Sequence, residues 1–432
     1  MLIAEHTMTD LYFRTLTSAL HDAGVCTPVM VIDRERLDHN IDHLIDVMNR
    51  GFDYRIVAKS LPSVPLLQYI MRRTGTSRLM CFHLPFLMHL IEHIPAADIL
   101  LGKPMPVCAA RHFYAWHGQQ TSSMCFAPEL QLQWLIDSPQ RLQQYEQLAQ
   151  ELNVRMRVSL EIDVGLHRGG FQPGEDFMAA LERVSRSPWL SLSGLMGYEA
   201  HIGKIPALLG GPTAAFNATR QRYAACVQQV RDVLGEAVLK TLCLNTGGST
   251  TYPLYDADSL GIVSEISVGS ALLKPTDFDV ETLEHHLPAA YIAAPVLKRV
   301  QQPEIPEAPR LSRALRAIGL LPKQGCYLYG GNWLASPCYP AEARLSSLLG
   351  RSSNQEFYQL PADTRLQQDD YVFFQPTQSE ALLLQFGQLA VVEQGRICDW
   401  WPVFSYPDTF PQYRLQRARQ PQPCASTLMQ PD

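Results

Sequence analysis

The chain has 432 residues, 46% apolar and 18% charged, which is length enough for two well-filled domains and ordinary for a soluble globular enzyme. A formal net charge of −6 without a polybasic run argues against nucleic acid and anionic membrane surfaces as partners. No uncharged apolar run approaches the roughly twenty residues of a membrane span, and ten cysteines without a Cys-x-x-Cys pair argue against a zinc ribbon.

Half of the cysteines (Cys81, Cys108, Cys125, Cys226 and Cys243) lie in apolar stretches where a free thiol behaves as a small hydrophobe, so a reduced, cytoplasmic setting is expected. The first residues, Met1 to His6, lack the cationic lead and long apolar core of a signal peptide. A short helical pattern fills 1–27 and stops at Thr27-Pro28. Val29 to Ile32 reads as a strand, and Asp33 caps a helix with apolar positions Leu37, Ile41, Leu44, Ile45 and Met48. A regular alternation then begins. Strands are predicted at 54–58, 78–82, 97–101, 131–136, 155–162, 191–197, 240–245 and 263–268, with amphipathic helices such as Pro139–Leu152, Gly174–Val184 and Ala214–Leu234 between them. This order over some 215 residues predicts an α/β fold, a (β/α)8 TIM barrel over 34–275, with a doubly wound open sheet as the competing arrangement. The stretch 105–125, rich in His and Ser, reads as irregular.

Beyond about residue 275 the texture changes. Pro303 to Pro309 reads as a loop. Short β-prone runs follow at Cys326–Tyr329, Tyr371–Phe374, Leu382–Phe386, Leu389–Val392 and Trp400–Phe404. Turns separate them, which predicts a smaller antiparallel β domain over 276–432. Its tail, Pro411 to Asp432, is rich in Gln, Pro and Arg and expected to fray.

In a parallel barrel, chemistry is built where strands end. Tyr54-Arg-Ile-Val-Ala-Lys59-Ser60 is a strand closing on one lysine, and Leu-Pro breaks it. Taken alone, Lys59 is more simply a snorkelling side chain; beside Val57 and Ala58, partial desolvation would also favour the nucleophilic amine. The other strand ends turn the reading towards chemistry. Strand 155–162 runs into Asp163-Val-Gly165-Leu-His167-Arg168-Gly169-Gly170, where Arg168 offers a rigid fork to an anionic oxygen or else ties the loop to Asp163. Strand 191–197 delivers Tyr198 and His201. Strand 240–245 enters Thr246-Gly247-Gly248-Ser249-Thr250-Thr251, a run of free N–H groups and hydroxyls suited to phosphate, and strand 263–268 ends in Gly269-Ser270. A lysine amine facing a phosphate nest suits pyridoxal phosphate, an aldehyde carrying its own phosphate handle.

With these motifs in this order, the chain resembles the fold-type III pyridoxal-phosphate enzymes, the alanine-racemase-like barrels. Within them it looks closest to the branch of D-threonine aldolase and eukaryotic-type D-serine dehydratase. The resemblance runs from Thr27-Pro28-Val29 to Trp401-Pro402-Val403-Phe404. It implies that Lys59 binds the cofactor's aldehyde and that Arg168 lies near its phenolic oxygen. His201 would pack against the pyridine ring and Tyr198 would line the pocket. Thr246, Gly247, Gly248, Ser249, Thr250, Gly269 and Ser270 would hold the phosphate. Lys59, Tyr198 and Arg168 are thereby the expected catalytic groups. The resemblance also adds residues 1–33 to the β domain and implies a homodimer with shared active sites.

Two departures from the family pattern stand out. Ser267 occupies the place of an arginine that usually faces the pyridine nitrogen. In the C-terminal domain, Gln378 and Glu380 stand where the aldolase and dehydratase branch carries a His-x-Cys metal pair. An amide is a poor zinc ligand and the thiolate is lost, so no divalent metal is expected, and both residues are assigned to the substrate pocket. The expected function is a lyase acting on a D-amino acid, of the D-serine dehydratase (deaminase) or D-threonine aldolase kind. Three alternatives remain: an amino-acid racemase, a non-catalytic pyridoxal-phosphate carrier, and a barrel binding another phosphorylated ligand.

Overall fold

The computed structural model describes residues 2–120, 125–206, 208, 210–305, 307–346 and 349–405; the Gln- and Pro-rich tail from Pro411 lies outside them. After helix α1 (Leu2–Asp22) comes strand β1 (Val29–Asp33). Asp33 accepts a 3.0 Å hydrogen bond from the Arg36 amide and so caps helix α2 (Arg34–Met48), whose Leu37, Ile41 and Leu44 face the core. Eight strands then close into a parallel barrel: β2 (Asp53–Val57), β3 (Arg78–Cys81), β4 (Asp98–Leu101), β5 (Leu132–Ile136), β6 (Met156–Ile162), β7 (Leu190–Gly197), β8 (Cys243–Thr246) and β9 (Glu265–Val268). Every predicted barrel strand is present, with ends displaced by at most three residues. The reason is physical. Strands covered on both faces need no strict polar alternation and are mainly apolar here, with charged residues entering chiefly near their N-terminal ends, and Gly, Pro and polar turns bound them. Within the stretch 105–125, expected to be irregular, residues 107–117 form a helix, because Ala110, Phe113 and Trp116 give it a buried stripe; residues 121–124 lie outside the described residues.

Inside the barrel, at the N-terminal ends of the strands, the core is ionic. Arg55 is 1% exposed, and its guanidinium meets Glu265 at 2.5 Å and Asp98 at 2.7 Å. Arg78 and Arg157 complete the network at 3.0 Å from Glu265 and 3.1 Å from Asp98. Burial alone would push the Glu265 carboxyl up, but Arg55 and Arg78 outweigh it and hold it below its ordinary range.

The second sheet contains β1 together with β10 (Ala290–Gln301), β11 (Gln324–Tyr329), β12 (Ala335–Tyr339), β13 (Arg344–Leu345), β14 (Gln355–Gln359), β15 (Tyr371–Pro376), β16 (Gln388–Glu393) and β17 (Arg396–Pro402). Its pairs are antiparallel except β1 with β16. Helix α1 covers one face through Phe13, Leu16 and Leu20, against Val31, Tyr291 and Phe373. The twelve-residue β10 is absent from the sequence expectation. Its Ala-rich composition and Pro295 read against a strand, yet Pro295 sits where the ladder passes from β1 to β11, so on that edge no amide is needed. Leu382–Phe386, expected as a strand, is instead helical: a short α-turn Ser379–Leu382 runs into a 3-10 turn Leu383–Phe386 that buries Leu382 and Leu383 completely.

Candidate active site

The C-terminal ends of the barrel strands open into a cavity of about 770 Å³, within the range of small-ligand sites. Strand β2 stops at Val57, and a single 3-10 turn, Ala58–Ser60, lifts Lys59 onto the cavity wall. Its ammonium lies 4.9 Å from the Phe82 ring centroid and 2.8 Å from Glu380 Oε2. Glu380 arrives from the second domain, on the turn Ser379–Leu382, and also lies 3.5 Å from Ser60 Oγ.

Beside Lys59, the loops after β8 and β9, expected to hold phosphate, reach the same cavity. Gly247, Gly248, Ser249 and Thr250 line the cavity with Gly269 and Ser270. The amides of Gly269 and Ala271 converge on one acceptor, Ser249 Oγ, at 3.4 and 3.0 Å, so two backbone donors already point at a common spot. Gly269 has to be glycine: a Cβ there would come within 2.9 Å of the Val57 carbonyl oxygen and 3.0 Å of Ser60 Cβ. That contact seats the cradle directly against the turn carrying Lys59.

Thr246, expected in the cradle, is not on the cavity wall. It is buried, and its hydroxyl donates to Glu199 Oε2 at 2.8 Å. Glu199 is fully buried and also takes the Tyr255 hydroxyl at 2.7 Å, so it anchors the loop from behind; burial raises its carboxyl pKa against the pull of these donors. Further out, Tyr252 shares a 2.7 Å hydrogen bond with His286 Nε2, and Thr282 donates to the Thr250 carbonyl at 2.7 Å. Burial, with His43 and Lys274 nearby, drives His286 down to about 3.

Arg168 and Tyr198 both line the cavity, the guanidinium 5.0 Å from the phenol ring centroid. Arg168 faces Glu161 at 3.8 Å and makes no pair with Asp163. Asp163 is occupied elsewhere: it accepts the amides of Gly165 and His167 at 2.9 and 3.0 Å and meets His167 Nδ1 at 2.7 Å, an Asx-type turn that fixes the loop locally. Burial raises the Glu161 carboxyl pKa, with Arg168 opposing it. His201, expected against a pyridine ring, does not reach the cavity wall. It sits behind Gly165 (φ +117°), where an added Cβ would lie 3.2 Å from its Nε2.

Ser267 lines the cavity and accepts a 2.7 Å bond from Asn245 Nδ2, which also donates to Glu265 Oε1 at 2.7 Å. A polar chain thus joins the buried ionic core to the spot where the family pattern has an arginine. The period-2 alternation of a strand could have flagged it, since Asn245 faces inward where Thr246 faces out. Gln378 and Glu380 also reach the wall but part company there, Gln378 donating to Asp277 Oδ2 at 2.8 Å. Among the described residues, one group of His, Cys or carboxylate ligands lies close enough to share an ion, His89, Glu92 and His93, away from the cavity. Lysine, converging amides, hydroxyls and an arginine fit a phosphorylated aldehyde such as pyridoxal phosphate.

The model of the alanine racemase N-terminal domain matches residues 32–276. No curated protein sequence matches the chain. Among solved structures, D-threonine aldolase from Filomicrobium marinum is similar with a TM-score of 0.68 at 14% identity, covering 89% of this chain and 97% of that one. D-threo-3-hydroxyaspartate dehydratase from Delftia sp. HT23 gives 0.66 at 19% identity, over 88% and 98%. Alanine racemase from Bacillus anthracis with bound L-Ala-P gives 0.63 at 12%, over 87% and 97%. At such identities the likeness is one of fold. No helix is long and apolar enough to cross a membrane among the described residues, and the nine cysteines there are free thiols.

Proposed function

The chain belongs to the alanine racemase N-terminal domain family, and on that premise we propose that it is a pyridoxal-phosphate lyase removing water and ammonia from a D-β-hydroxy amino acid, in the manner of D-serine dehydratase. One observation carries the reading: the Lys59 amine and two backbone amides that converge on Ser249 Oγ line one cavity, with Gly269 packed against the turn that carries Lys59. Bound there, pyridoxal phosphate supplies an electron sink for the pair left at Cα when its proton is removed. The chain supplies the rest. Lys59 would hold the aldehyde carbon, and its amine is placed to act as the base at Cα. Ser249, Thr250 and the amides of Gly269 and Ala271 would hold the phosphate end, and Glu199 anchors that loop from behind. Arg168, stacked on Tyr198, presents a cation to the phenolic side. Ser267, whose oxygen already accepts from Asn245, offers the pyridine nitrogen a neutral hydroxyl in place of a guanidinium.

The D-amino acid specificity takes support from the aldolase and dehydratase folds among the similar structures. The working form is proposed to be a homodimer in the cytoplasm, each mouth completed by its partner; light scattering that gives a fully active monomer would remove the dimer. Purified protein should be yellow, and borohydride should bleach it and leave its label on Lys59. A Lys59→Ala protein that keeps the band would defeat the assignment. A panel of D- and L-amino acids, assayed together for keto acid, aldehyde and enantiomer, separates dehydratase from aldolase and from the racemase reading. Yellow protein that turns over nothing would mark a carrier.

A further inference from the structure

Hydroxide leaves a carbon slowly unless a metal ion or an acid takes its charge. The cavity holds four carboxyl groups, Asp137, Glu161, Asp277 and Glu380. Glu161 faces Arg168, Asp277 takes the Gln378 amide, and Asp137 takes the Ser138 hydroxyl at 3.3 Å. Glu380 is the one that touches Lys59, at 2.8 Å, and both side chains remain 39% exposed, so a substrate bound at Lys59 can reach either. The turn that carries Glu380 is also held firmly. Neighbouring Ser379 is buried with its hydroxyl 3.4 Å from Ser270 of the cradle, and Leu382 and Leu383 pin the turn with no exposed surface.

From this geometry we propose that Glu380 is the acid that protonates the departing β-hydroxyl, and that Lys59 recharges it. The inference rests on the dehydratase reading above. The step balances within the pair. The Cα proton passes to the Lys59 amine, and the C–H electron pair becomes the Cα–Cβ double bond. The Cβ–O bond breaks with its electrons on oxygen, which takes the Glu380 proton and leaves as water. The Lys59 ammonium then returns its proton across 2.8 Å to the Glu380 carboxylate, so the site resets with no external acid. The arrangement also answers the sequence departure at this position: the residue standing where the family places a thiolate becomes a proton carrier in place of a metal ligand.

The test uses holoenzyme, wild type and Glu380→Gln, with D-serine and β-chloro-D-alanine as paired substrates. Chloride departs without a proton. The variant should therefore lose on the order of 100-fold or more in kcat/KM on D-serine and under about tenfold on the chloride. A second readout is independent of turnover. The absorbance titration of the cofactor–Lys59 linkage should move down by about one pH unit or more in Glu380→Gln, because the facing carboxylate favours the protonated nitrogen. Equal losses on both substrates, or no loss on D-serine, would overturn the proposal. If Glu380→Gln does not retain cofactor, Glu380→Asp must still show a shifted ratio of chloride to hydroxyl turnover, and an unchanged ratio overturns the proposal as well. A wild type that dehydrates neither D-serine nor any other β-hydroxy amino acid brings down the reaction reading instead. In that case a persisting titration difference upholds the Lys59–Glu380 pairing and an absent one removes it.

Discussion

His286 makes the support behind the cradle sensitive to acid, and the size of the effect follows from its surroundings. The ring is 4% exposed, bonded to Tyr252 and near His39, His43, His285 and Lys274, and burial as the largest influence brings its pKa to about 3. In the unfolded chain it returns to about 6.5. The folded state therefore binds fewer protons than the unfolded one between these values, and stability is full above the upper value and falls as pH drops towards the lower. Between about pH 7.5 and pH 5 the unfolded imidazole becomes almost wholly charged while the folded one stays neutral. At about 1.4 kcal/mol per pKa unit, that window removes about 2 kcal/mol. Carboxylates titrate in the same range, so the measurement is a difference. Urea unfolding of wild type and His286→Gln, which keeps a partner for Tyr252, should give curves that diverge by about 2 kcal/mol over this interval, the wild type losing more. Curves parallel to within about 0.5 kcal/mol would show that the imidazole is not held neutral, and the reasoning would fail.

Gly269→Ala should push the cradle away from the lysine turn; an overpacking cost of about 1–3 kcal/mol corresponds to roughly 5- to 150-fold weaker cofactor retention by equilibrium dialysis, and unchanged retention would refute the close contact. Glu265→Ala should cost about 3–5 kcal/mol in urea unfolding, because it strips a buried guanidinium of its main partner; a loss under about 1 kcal/mol would mean that water reaches Arg55. Prolonged dialysis against chelator should leave turnover unchanged, given an amide and a carboxylate where the family pattern has imidazole and thiolate. Activity abolished by chelation and restored by a divalent ion would overturn that alignment.

The barrel was legible in the sequence because its strands are buried on both faces, so mainly apolar segments such as Leu132–Ile136, broken only by Gln133, end abruptly at turn residues. The second sheet was only half legible. In β10, Pro295 argues against a strand in any local reading, and its acceptability depends on a change of ladder partner visible only in three dimensions. Leu382–Phe386 misled for the opposite reason, since five mainly apolar residues carry no usable period. At the site, the strand-end rule brought Lys59, Arg168, Tyr198 and the two glycine loops to one mouth. The rule locates a residue along the chain without saying which way its side chain turns. Thr246 and His201 were therefore expected on the wall and lie behind it, while Asn245 was signalled only by the alternation along its strand and Glu199 carried no expectation.

The ionic core also bears on how the ring closes. Strands β2 and β9 are separated by the whole barrel sequence, and their pairing aligns Asp53 with Glu265 and Arg55 with Ser267. Apolar neighbours alone would tolerate several alignments of two such short segments. A displacement of one residue, however, turns Glu265 to the opposite face, puts Ile266 in its place and leaves Arg55 sealed in the interior without its main counter-ion. A stranded buried charge costs about 3–5 kcal/mol, a large fraction of the stability of a typical domain. The seam is thus keyed by charge, and a misthreaded last strand is penalised by that stranded guanidinium.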